Sequence, residues 1–118
     1  MKTATSIDEQ IQLLESRGMK FKDKDKAKEI LLDIGYYRLG FYWFPYEKSY
    51  PSRYNRSHEF QNDTLFDNVV TLYYFDHDLR SIIAPYLYRI EVNFRTFVTY
   101  IVSNRYKNNP TWLLTLEL

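Results

Sequence analysis

The residues best suited to chemistry lie on one repeating pattern. Leu65, Val69, Leu72, Asp76, Leu79, Ile83, Leu87, Ile90, Phe94, Val98 and Ile101 follow one another at intervals of three or four. That spacing keeps side chains on a single stripe of a helix. Asp76 stands where the stripe calls for an aliphatic, and at about 100° per residue Arg80, Glu91 and Arg95 run along one edge of it. Asp76 and Arg80 are four apart, as are Glu91 and Arg95, so each pair can bridge along the helix. Two readings follow. The four charges form a structural network that survives being turned towards the protein because it supplies its own partners. Alternatively, Arg95 and Arg80 contact phosphates, Arg95 holding a phosphate or stabilising charge in phosphoryl transfer, with Asp76 and Glu91 orienting the guanidinium groups.

Other chemistries lack their residues. The chain has no phosphate-cradling glycine loop, no Gly-x-Ser-x-Gly and no His-x-x-x-His pair. His58 and His77 are its two histidines, and His77 falls about 100° round the helix from Asp76. With no cysteine there are no disulfides and no thiolate metal sites, which fits a reducing cytoplasm. We expect neither metal nor cofactor. The net charge of +1 provides no global field towards nucleic acid or membrane, so any anion-binding surface must be local. No apolar run approaches the roughly 18 residues of a membrane span.

The elements that must position these groups read as an all-α domain, since the 118 residues hold only 3 glycines and few strand-like alternations. The stripe predicts one long helix from Thr64 to Tyr106, with Thr64 as cap. It should be kinked at Pro85, which removes a backbone donor and crowds the Ser81 carbonyl. Upstream, Ser6-Ile7-Asp8-Glu9 has the form of a capping box before a short helix ending near Gly18. Asp23 or Asp25 caps a second helix that runs to Gly35. The five lysines between Lys20 and Lys28 read as a solvated face, diluted by Asp23 and Asp25.

Seven of the twelve residues from Gly35 to Tyr46 are aromatic. They form either a stacking platform with Arg38 as an anion contact, or an aromatic plug in a helical core with Arg38 held by Asp76 or Glu91. A long surface loop follows at about 46–63, in which Arg53, Tyr54, Arg56 and His58 interleave base and aromatic. The apolar tail from Thr111 to Leu118 reads as the start of a further element, so the chain is expected to be a portion of a longer protein or to pair with another chain.

Three blocks carry a resemblance to a known family. Ile34-Gly35-Tyr36-Tyr37-Arg38-Leu39-Gly40-Phe41-Tyr42, Leu72-Tyr73-Tyr74-Phe75-Asp76-His77-Asp78-Leu79-Arg80 and Arg89-Ile90-Glu91-Val92-Asn93-Phe94-Arg95-Thr96 resemble the motif blocks of the Abi-like family. These are bacterial abortive-infection proteins of the AbiD and AbiF type. The resemblance implies a role in phage defence and a helical domain related to the HEPN superfamily, whose members bind or cleave RNA and act as dimers. Arg38 with Tyr36 and Tyr37 would then be an outer RNA contact. HEPN ribonucleases carry an arginine and, after four to six intervening residues, a histidine. Arg95 matches the arginine, but Tyr100 stands at the first permitted histidine position, and tyrosine, with an ordinary pKa near ~10, is a poor general base at neutral pH. A non-catalytic RNA- or protein-binding module is the alternative to a HEPN-type ribonuclease. In a third reading the seam only stabilises the fold.

Overall fold

Local rules start the first two helices. The Ser6 hydroxyl accepts from the Glu9 amide at 3.3 Å while the Ser6 amide donates to the Glu9 carboxylate at 2.6 Å, which completes the capping box of α1, Ile7–Ser16. The Asp23 carboxylate accepts from the Asp25 and Lys26 amides, both at 3.1 Å, and starts α2, Lys24–Ile34. The aromatic stretch then forms α3, Tyr36–Trp43, and a single 3₁₀ turn, Phe44–Tyr46. After the loop comes α4, Phe66–Arg105, which continues through Pro85 as one helix. This computed structural model describes residues 3–109 together with Thr111 and Leu114; the remainder of the apolar tail lies outside the described residues. Among the described residues there is no strand, only two isolated bridges, Lys20 with Leu65 and Glu47 with Phe60. The domain is all-α.

The chain divides into two units, residues 1–77 and 78–118. The core belongs to the first. Ile11 and Leu14 of α1, Ala27, Leu31 and Ile34 of α2, Leu39 and Trp43 of α3, and Phe66, Val69 and Val70 of α4 are buried together with Met19 and Phe60. Phe21 stacks on Phe66 at 5.0 Å between ring centres, and Trp43 meets Phe60 edge-on at 6.4 Å. The Lys20 amide donates to the Thr64 carbonyl and the Phe66 amide donates to the Lys20 carbonyl, at 2.8 and 2.9 Å, so the α1–α2 link fixes the entry to α4.

Two expectations about α4 need correction. The Thr64 hydroxyl donates to the Gln61 carbonyl at 2.7 Å, and the Leu65 carbonyl is the acceptor for the Asn68 and Val69 amides, so Thr64 ends the loop rather than capping the helix. The core-facing arc also extends beyond one side of the predicted stripe. Val69 is buried and Leu65, Leu72 and Asp76 are half-buried as the stripe predicts, but Phe66 and Val70, outside it, are buried too, and in the second unit every residue from Asp78 to Ile101 is exposed.

Candidate functional site

Gly35 separates α2 from α3 with φ at 96°, a left-handed value that an L side chain adopts only with strain. The turn sets the phase of α3. Leu39 and Trp43 point into the core, and the Tyr36 ring meets Trp43 edge-on at 4.9 Å while its hydroxyl accepts from Arg17 at 3.3 Å. Tyr37 and Phe41, one turn apart on the opposite side, are left 86% and 80% exposed. Arg38, between them in sequence, is exposed and forms no ion pair among the described residues. One side of the stretch is therefore a plug, and the other leaves the Tyr37 and Phe41 rings exposed with Arg38 on their flank. Tyr36, half-buried, packs on the plug side.

The charged residues of α4 divide between the two units. Asp76 is half-buried in the first unit, where its carboxylate accepts from the Tyr42 hydroxyl at 2.7 Å and the Tyr42 ring meets Tyr73 edge-on at 5.2 Å. A tyrosine on α3 thus answers the misplaced carboxylate. In the second unit Arg95 and Glu91 pair at 2.5 Å with side chains 76% and 52% exposed, and Arg80 is exposed as well. Periodicity places these residues on one edge, but it does not say whether anything covers that edge. Tyr100 lies in a shallow apolar groove with Ile90, Asn93, Phe94, Thr96 and Phe97, which Arg95 does not line. Arg95 and Tyr100 are not brought to a common site on that helix.

One polar cluster had no signal in the sequence. Glu47 is 1% exposed, and its carboxylate accepts from Arg56 Nε at 2.9 Å and from the Arg56 terminal nitrogen at 2.5 Å. The Arg56 guanidinium sits 4.8 Å above the Phe44 ring, and the bond to Glu47 raises its pKa above the ordinary arginine value. His58 Nδ1 lies 3.7 Å from the same carboxylate. The loop is thereby folded onto Glu47, and of its four interleaved residues only Arg53 and Tyr54 are left without such an anchor. Nearby, Asp63 accepts from Lys20 Nζ, and that contact holds its carboxyl below the usual aspartate range.

Among the described residues no group of three acidic, histidine or cysteine side chains is placed to hold a metal ion, and no helix is long and apolar enough to cross a membrane. The family model described as Abi-like protein matches residues 29–117. No curated protein and no solved structure matches the chain.

Proposed function

The chain belongs to the Abi-like protein family, and on that premise we propose that it is an abortive-infection protein of phage defence that binds RNA through the exposed face of α3. The observation that carries this reading is the trio Tyr37, Arg38 and Phe41: two rings presented to solvent one turn apart, beside an exposed guanidinium that forms no ion pair among the described residues. A base stacked on such a ring gains about 1–3 kcal/mol whatever its identity, and arginine pairs with phosphate through two parallel hydrogen bonds. Arg53 and Tyr54, both exposed, add a second base–aromatic pair in the same unit. Large rings this exposed are costly unless a ligand uses them.

Binding without cleavage is the reading the site supports. A HEPN-like cleavage centre requires a general base beside its arginine, and Arg95 has Glu91 as partner, with Tyr100 in a groove it does not share. Arg95 and Arg80 act as further phosphate contacts. A gel-shift assay on total bacterial RNA in EDTA, with cleavage read from the same samples, tests the proposal. The wild type should shift RNA and leave it intact, and Tyr37→Ala and Arg38→Ala should each weaken the shift by about tenfold or more. Equal shifts by all three proteins would remove α3 from the interface. Cleavage lost in Arg95→Ala would restore the ribonuclease reading.

A further inference from the structure

Tyr37 and Phe41 stand four residues apart on α3, so their side chains leave the helix about 6 Å apart along its axis and about 40° apart around it. Nucleotides that stay stacked repeat at about 3.4 Å along a strand. Two consecutive stacked bases therefore cannot lie one on each ring. Either one ring goes unused, or the step between the bases opens. A duplex offers neither base, because pairing and stacking cover the faces and leave only the grooves to read.

The row of free rings has two places and no third. Before Tyr37 the chain turns at Gly35. Beyond Phe41 the Phe44 ring is already taken: the Arg56 guanidinium lies 4.8 Å over its centre and Tyr50 meets it edge-on at 5.2 Å. The first place is held in position from below. Tyr37 rests edge-on against Tyr36 at 5.7 Å, and Tyr36 meets the buried Trp43 at 4.9 Å, so three rings run from core to surface. Arg38 leaves the helix at a level between Tyr37 and Phe41, on the flank about 100° round from Tyr37. A phosphate that links two bases lying on the rings passes along such a flank.

We propose that α3 takes RNA as two consecutive nucleotides drawn apart, one base on Tyr37 and the next on Phe41, with the phosphate between them on Arg38. This ligand conformation presupposes that α3 is the RNA-binding face, and it adds that the strand is unpaired and opened at one step. Each base exchanges a neighbouring base for a protein ring, so the two ring contacts offset the stacking lost at that step.

The test uses an RNA tetranucleotide whose two central bases are 2-aminopurine and whose outer sugars are abasic, so that only the central pair can reach the rings. Stacked on each other, the two analogues give an exciton couplet in circular dichroism, and the couplet vanishes when they part. Binding is followed by fluorescence anisotropy on the same samples. The probe bound to the wild type should lose its couplet. Phe41→Ala should bind about tenfold more weakly and leave the couplet of the bound probe in place, since one ring no longer requires an open step. A couplet that persists on the wild type, with binding still lost in Tyr37→Ala, would overturn the opened step while leaving α3 as the RNA surface. No binding, or binding unchanged in Tyr37→Ala, would remove both. A blunt RNA duplex should bind about tenfold or more below either of its separated strands, and equal affinity would overturn the requirement for an unpaired strand.

Discussion

Glu47 shows how a single carboxylate orders a loop. Among the described residues it is the only charged side chain in the buried class, and Arg56 satisfies both of its oxygens. Removing Arg56 strands a negative charge out of water. Fully buried pairs lose about 3–5 kcal/mol when broken in this way. Because the Arg56 side chain is one-third exposed, water compensates in part, and Arg56→Ala should cost about 2 kcal/mol. Urea unfolding measures this, and an unchanged midpoint would contradict the clasp. The neighbouring Lys20–Asp63 contact acts in a different pH range. It lowers the Asp63 pKa in the folded chain, so its stabilisation is complete above the unfolded-state pKa of about 3.9 and is lost as pH falls through the lower folded value. Asp63→Asn isolates the effect, since asparagine accepts the left-handed backbone, φ 62°, found there. The difference in melting temperature between wild type and variant should be present near neutral pH and shrink towards zero in acid. A difference that stays constant with pH would rule the linkage out. Neither contact was legible in the sequence. Glu47 and Arg56 are joined across a loop with no periodicity, and only the closing of that loop by the Glu47–Phe60 bridge brings them together.

At the scale of elements, what could be read locally was read. Caps and stops depend on residues three or four apart, so Ser6, Asp23 and Gly35 announced α1, α2 and their ends, and the continuous three-and-four spacing announced α4 across Pro85. The two sides of α3 were not separable beforehand. When seven of twelve residues are aromatic, hydrophobicity does not distinguish Trp43, which is buried, from Phe41, which is not. Substitution can separate them. Leu39→Ala should cost about 2–5 kcal/mol, whereas Tyr37→Ala should stay within about 0.5 kcal/mol of wild type. Chemical denaturation of both would contradict the assigned phase if their costs were alike. Gly35 sets that phase, and no atom lies within 4 Å of the place a β-carbon would occupy. The cost of Gly35→Ala is therefore backbone strain alone, about 1–2 kcal/mol, readable in the same experiment. The charged seam marks the limit of periodicity. It sets Arg80, Glu91 and Arg95 on one edge, but burial depends on what covers an edge, and in the second unit these side chains are exposed.

For the whole molecule, a net charge of +1 leaves no long-range attraction to nucleic acid. The RNA recognition proposed for α3 would then rest on stacking and a few phosphate contacts, so affinity should fall only gently with salt. Each phosphate contact to a single strand adds about 0.7 to the slope of log affinity against log salt, and Arg38→Ala should remove about that much. The family to which the chain belongs sets the biological context, and the face of α3 is the claim on which the rest depends. Ultraviolet cross-linking of wild-type protein to bound bacterial RNA, followed by peptide mapping, tests it most directly. Adducts on Tyr37 and Phe41 are the expected result. Efficient cross-linking that leaves both rings unmodified and falls elsewhere in the chain would contradict the account.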